Sequence, residues 1–135
     1  MSDLADLSRE NILDHAHSPR HWGLLHPADV DHREENPLCG DSVHLTLRLD
    51  EHSVIRDVGW EGHGCAISQA SASMLSERLI GLPLDEARQI TRQEILDMVG
   101  LSLSPNRMKC ALLALKVFIV GTDEISHHSI KHRRE

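Results

Sequence analysis

The chain carries three cysteines, each in a distinct setting: Cys39 in Asn-Pro-Leu-Cys-Gly-Asp, Cys65 in Gly-His-Gly-Cys-Ala-Ile-Ser and Cys110 in Arg-Met-Lys-Cys-Ala. A carboxylate, Asp41, follows the first thiol by two residues. Three thiolates with a carboxylate beside them make a soft, anionic donor set suited to Zn²⁺ or to an iron–sulfur unit. Pro37 fixes the approach to Cys39, and Gly40 lets the backbone come close to whatever the sulfur holds. Asp41 falls where a flexible loop can bring its oxygen to the same centre. Gly62 and Gly64 relieve crowding ahead of Cys65, and a helix starting at Ala66 turns its positive end toward that sulfur. Lys109 sets a positive charge next to Cys110.

Plainer readings stand beside these. A free cysteine is often just a small buried hydrophobe. Cys110, between Met108 and Leu112 on a helical stretch, fits that description better than the glycine-flanked Cys39 and Cys65. A nucleophilic dyad of His63 and Cys65 is a weak alternative, because the two are close in sequence and no oxyanion element accompanies them. His63 reads as solvent-facing rather than as a further ligand.

The elements that must position these groups follow from periodicity and turn chemistry. Residues 8–17 read as a short helix with Ser8 at its N-cap and Pro19 ending it, followed by a His-, Pro- and Asp-rich loop to about residue 36. From Ser42 to Leu49 the pattern alternates, with Val43, Leu45, Leu47 and Leu49 on one side, which predicts a half-buried antiparallel strand. Asp50 to Ser53 make a turn, and Val54 to Glu61 return as a second strand with Val54, Val58 and Trp60 on one face, giving a hairpin. Hairpin geometry then brings Cys39 and Cys65 side by side. A helix runs from Ala66 to its stop at Gly81, burying Ile67, Ala70, Met74, Leu75 and Leu79. Pro83 opens the next segment. Thr91-Arg92-Gln93-Glu94 is a capping box for a short helix ended by Gly100, and Ser104-Pro105 starts a last long helix reaching about Val120. That helix is expected to bury Met108, Ala111, Leu112, Leu115 and Ile119, and the tail 122–135 to be frayed. Helix, strands, then helices make an α+β chain, a small antiparallel sheet with helices packed on one face.

Composition narrows the possible functions. With 135 residues and no internal repeat or linker, the chain reads as one domain, 1–135. Its 21 acidic and 14 basic residues leave a formal charge of -7, and Trp22, Trp60 and Phe118 are its only aromatic bulk. Such a surface is poorly suited to nucleic acid, which asks for a basic patch with stacking rings. No basic run with a following apolar stretch marks a signal peptide, and no apolar segment is long enough to span a bilayer. An odd cysteine count then favours a reducing, cytoplasmic setting over a disulfide framework. Most of the eleven histidines sit in polar contexts and read as surface residues.

Taken in order, these segments resemble the IscU/SufU/NifU N-terminal family of iron–sulfur cluster assembly proteins. The likeness covers nearly the whole chain. It includes Ile12-Leu13-Asp14-His15 with Ser18-Pro19-Arg20, the Asn36 to Asp41 segment, Gly62-His63-Gly64-Cys65-Ala66-Ile67-Ser68 with Ala70-Ser71-Ala72-Ser73-Met74, and Lys109-Cys110-Ala111. The resemblance implies a SufE/NifU-like fold and a scaffold that accepts sulfur from a cysteine desulfurase. It would transiently hold a [2Fe-2S] cluster or metal for Fe–S acceptors or downstream assembly proteins. Carried over by position, Cys39, Asp41, Cys65 and Cys110 are the cluster or Zn²⁺ ligands. Asp41 is then the oxygen donor that keeps the cargo labile, and Cys110 the favoured sulfur acceptor through an accessible thiolate.

Two branches of the family are distinguishable. IscU-type members usually have His before the third cysteine and a Leu-Pro-Pro-Val-Lys stretch upstream for a chaperone. This chain has Lys109, and Leu101 to Arg107 read Leu-Ser-Leu-Ser-Pro-Asn-Arg, a departure that speaks against chaperone docking. Lys109-Cys110-Ala111 is similar to the SufU branch, which typically holds zinc and relays persulfide sulfur to a separate assembly complex. Only 44 residues separate Cys65 from Cys110, however, so the insertion usual in SufU is lacking, and Ala16 stands where Tyr is often found. The expectation is therefore a scaffold, with a zinc-bound sulfurtransferase as the alternative; enzymatic activity in its own right is not the leading reading. A closed structural zinc site fits least, since such sites favour tight Cys-x-x-Cys knuckles.

Overall fold

The structure is a computed structural model that describes residues 2–37 and 40–134, without the side chains of residues 2–6, 124 and 126–134. Leu38 and Cys39 lie outside the described residues. Helix α1 spans Ser2–His17, strands β1, β2 and β3 span Val30–Asn36, Asp41–Leu49 and Ile55–His63, and helices α2 to α5 span Ala66–Leu79, Leu84–Ala87, Arg92–Val99 and Pro105–Arg134. The strands form one antiparallel sheet in the order β1-β2-β3.

The expected α+β architecture is present, with α2 and α5 packed against the sheet and α1 and α4 packed on those helices. Val30, Val43, Leu45, Leu47, Ile55, Val58 and Trp60 meet Leu75, Leu79, Leu113, Val117 and Phe118 in the larger apolar cluster. A second cluster joins Ile12 of α1 to Ala70 and Met74 of α2, Val99 of α4 and Ala111 of α5.

Four differences from the sequence reading have clear physical causes. First, α1 begins at Ser2, so Ser8 lies within the helix rather than capping it. Second, part of the expected loop is β1. Val-Asp-His-Arg-Glu-Glu-Asn has one apolar residue and no strand signal of its own, but β2 supplies its ladder from Val30↔Leu47 to Asn36↔Asp41. Third, the register between β2 and β3 slips after Arg48↔Asp57 to Leu49↔Ile55, leaving Arg56 as the extra residue of a bulge. The bulge turns Ile55 rather than Val54 into the core, where Ile55 is fully buried. Fourth, α5 runs through Gly121 to Arg134 instead of ending near Val120. A Cβ on Gly121 would stand 2.7 Å from the Cβ of His32, so at this glycine α5 lies close against β1, and Thr122 beyond it is buried. On the other side of the same helix Met108 is exposed, while Cys110, Leu113, Ala114, Val117 and Phe118 are buried along with Ala111 and Leu115.

The expected stops and caps elsewhere hold. Thr91 Oγ1 accepts from the Glu94 N–H at 3.1 Å, Ser104 Oγ accepts from the Arg107 N–H at 3.3 Å, and Gly81 and Gly100 take positive φ where α2 and α4 end. Helix α2 is buried on more than its apolar stripe. Ser68, Ser71, Ser73 and Ser76 are buried too, with Ser71 Oγ donating to the Ala111 carbonyl and Ser76 Oγ to the Ser73 carbonyl. Small hydroxyls satisfied in this way let α1 and α5 close on α2 from both sides.

The face of the sheet away from the helices is partly covered by residues 18–29. The Gly23 N–H donates to the Trp60 carbonyl at 2.8 Å and the Trp60 N–H to the His21 carbonyl at 3.1 Å, which shields the edge of β3. Next, the Leu25 N–H donates to Thr46 Oγ1 at 3.0 Å, and Thr46 is fully buried. Gly59 makes room for this segment, because a Cβ there would meet the Gly23 carbonyl oxygen. No helix, among the described residues, is long and apolar enough to cross a membrane.

Candidate metal centre

The start of β2, the start of α2 and the second turn of α5 meet at one end of the molecule. There Asp41, Cys65 and Cys110 each offer a donor atom, and these atoms all lie within 4.8 Å of one another. Cys39, the fourth residue named from the sequence, lies outside the described residues. Cys65 is a free thiol.

Asp41 is the first residue of β2 and is only 1 % exposed. The sequence pointed to a flexible loop here; instead the carboxylate is built into the ladder and tethered. The Cys65 N–H donates to Asp41 Oδ1 at 2.9 Å, and Cys65 Sγ stands 3.6 Å from Asp41 Oδ2. One oxygen is thus held by the backbone and the other is turned to the sulfur. Gly64 is what allows this: at φ +132 it adopts a conformation L side chains rarely take, and a Cβ there would lie on Asp41 Oδ1. Gly62 has a similar duty, since its Cβ would meet the Ser42 carbonyl oxygen at 2.6 Å. The Gly-His-Gly-Cys segment therefore serves to let β3 and α2 close on the carboxylate.

Cys65 is the N-cap of α2, in extended backbone, and its sulfur makes no capping hydrogen bond to the helix. Helix macrodipole and sulfur therefore meet end-on without the sulfur being spent on the helix. It is half-buried, whereas Cys110 is 2 % exposed. Lys109 is exposed beside Cys110, and His63, the terminal residue of β3, pairs with Ser42 across the ladder and is exposed. The donors suit a thiophilic metal: two soft sulfurs and one hard oxygen within a span that a single ion or small cluster can bridge.

Farther along α2 lies a polar link the sequence reading did not single out. His15 of α1 is buried, with Nδ1 2.7 Å from Ser73 Oγ of α2, and the Arg20 N–H donates to the same oxygen at 2.8 Å. Burial, with the Arg20 charge nearby, pushes the His15 imidazole below its ordinary value; Glu77 and Asp14 pull the other way. Arg20 in turn holds Asp14 at 2.6 Å, and this ion pair keeps the Asp14 carboxyl below the usual carboxylate range. Asp14, His15 and Arg20 all stood within the quoted resemblance segments, but only the fold shows that they fasten α1 to α2.

The NifU-like N terminal domain model matches residues 7–131. The zinc-dependent sulfurtransferase SufU of Bacillus subtilis is 33% identical over 137 residues, covering 89% of this chain and 92% of that protein. The iron–sulfur cluster assembly scaffold protein IscU of Thermotoga maritima is 36% identical over 133 residues, covering 87% and 93%. Among solved structures, a candidate iron–sulfur cluster assembly scaffold protein for the SUF system from Fervidobacterium islandicum superposes with a TM-score of 0.72 at 30% identity, covering 83% of this chain and 93% of that one. The N-terminal part of a NifU-like protein from Brucella abortus shares the fold, at a TM-score of 0.70 and 22% identity with 87% and 93% covered. Matched by the family model over nearly its whole length, and a third identical to two relatives that it covers almost end to end, the chain belongs to the NifU-like N-terminal domain family.

Proposed function

We propose that the protein is an iron–sulfur cluster assembly scaffold: it accepts sulfur from a cysteine desulfurase, holds a [2Fe-2S] unit as cargo, and hands it to acceptor proteins. The observation that carries this reading is the convergence of Asp41, Cys65 and Cys110 from three elements onto one point. We place Cys39 in the same donor set. Thiolates hold iron or zinc tightly, whereas a carboxylate oxygen is a harder and weaker partner, so a mixed set suits a site that must let go. The tether from the Cys65 N–H keeps Asp41 in place while leaving Oδ2 available to a metal. Cys110 is the sulfur acceptor in this scheme. Because its thiol is buried, the donor sulfur has to be delivered to it rather than meet it by chance. Reduced thiols of this kind suit a cytoplasmic setting.

One feature favours a second reading, a zinc-bound sulfurtransferase that relays persulfide sulfur to a separate assembly complex. Lys109 is exposed and adjacent to Cys110, a cation beside the thiol that would attack the donor. When bound, Zn²⁺ would be held by the same residues and would keep the thiols deprotonated and ordered. An anaerobic assay separates the two. Zinc-loaded protein is mixed with its cognate cysteine desulfurase and cysteine, and sulfide turnover is followed with and without the protein. Strong stimulation with zinc retained, lost in Cys110→Ser, establishes the sulfurtransferase. No stimulation, together with a visible [2Fe-2S] chromophore once Fe²⁺ replaces zinc, establishes the scaffold. Persulfide forming on Cys65 or Cys39 at the normal rate in Cys110→Ser would remove Cys110 from its role.

A further inference from the structure

Next to the candidate centre, β1 and α5 enclose an open groove of about 500 Å³. Its floor is apolar, built from leucines of α5 with Ile119, and its rim carries Arg92, Lys109, Lys116 and Glu35. The rim charges do not cancel. Glu35 is already paired with Arg33 at 2.6 Å, outside the groove. Lys116 has Glu34 at 3.8 Å but remains well exposed. Arg92 and Lys109 have no ion pair among the described residues. On a chain of net charge -7, this is a local concentration of cations around an apolar trough. Its complement is a peptide with an apolar side chain flanked by carboxylates.

The groove ends one residue short of the thiol along α5. Lys109 on its rim and Cys110 in the centre are consecutive residues of α5, and Cys110 is buried. A donor that must place one sulfur atom on a covered thiol needs a track that holds a flexible segment in register with it. We propose that this groove docks an acidic, apolar-anchored segment of the protein that brings sulfur to Cys110; this rests on the sulfur-accepting reading given above. The cations steer the segment and set its direction, and the apolar floor anchors it.

The test uses the full chain and its cognate cysteine desulfurase, with persulfide formation on the chain followed as its concentration is varied. Arg92→Glu and Lys116→Gln are the variants, since neither belongs to the donor set. Each should raise the concentration needed for half-maximal sulfur acceptance, by about ten-fold when the two are combined. The plateau rate, zinc content and melting temperature should stay at wild-type values, and the advantage of wild type should shrink as salt rises. Lys116→Arg should behave as wild type. Unchanged half-saturation in the double variant would overturn the proposal, as would an equal effect from Arg56→Glu at the β3 bulge, at the far end of the β2–β3 ladder from Asp41. A wild-type dimer in sedimentation that the double variant dissociates would also overturn it, assigning the groove to a second copy of the chain. If wild type accepts sulfur and the variants match it, docking alone fails. If wild type accepts none, the sulfur-accepting reading fails and the docking proposal falls with it.

Discussion

Asp41 has two duties that oppose one another. Its Oδ1 accepts the Cys65 N–H and so helps to hold β2 to the start of α2, while Oδ2 faces the sulfur and, on the proposed function, would offer a weak bond to cargo. Asp41→Ala removes both. The variant should lose about 1 kcal/mol of stability, because a half-buried N–H is left without its acceptor. An assembled cluster should nevertheless decay more slowly in it, because the donor that lets cargo leave is gone. Urea denaturation and the decay of the cluster absorbance check the two halves separately, and an unchanged decay rate would count against the releasing role. The residue types were legible in the sequence, since thiols and a carboxylate among glycines announce a soft site. The tether was not, because its donor lies 24 residues away and becomes a neighbour only when the hairpin closes.

At the scale of elements, Gly121 shows how a local signal misleads. Glycine ahead of a polar tail reads as a helix stop, yet here α5 continues through it and uses the missing side chain to approach β1. Gly121→Ala should gain about 1 kcal/mol of helix propensity. It should lose about 1–3 kcal/mol by forcing a Cβ against that of His32. The net expectation is destabilisation of about 1 kcal/mol, read from the urea midpoint; a stabilised variant would show that β1 and α5 yield freely. By contrast, the caps at Thr91 and Ser104 were readable because they are bonds between residues three apart. Strand β1 was not, because its charged sequence becomes a strand only through pairing with β2. Signals confined to a few residues survive reading in one dimension, and those that need a partner element do not.

For the whole molecule, the buried His15 makes stability depend on pH. Its folded-state value lies below the ordinary 6.5, chiefly through burial and next through Arg20. Above that ordinary value both folded and unfolded forms are neutral and nothing is lost. As pH falls through it toward the lower folded value, the unfolded chain takes up a proton that the folded one refuses, so stability declines. The urea midpoint should therefore fall from pH 7.5 to 5.5, and the fall should be shallower in His15→Gln; equal slopes would remove His15 from the account. A wider consequence follows from where the donors come from. Asp41 starts β2, Cys65 precedes α2 and Cys110 rides on α5, so whatever they grasp is a rivet through three elements remote in sequence. Riveting and folding then draw on one free energy, and such linkage runs both ways. A partner that prefers the riveted shape tightens the grip from any surface it touches, and one that prefers the slack shape loosens it. On the proposed function, unloading would then answer to a protein that never reaches a sulfur atom.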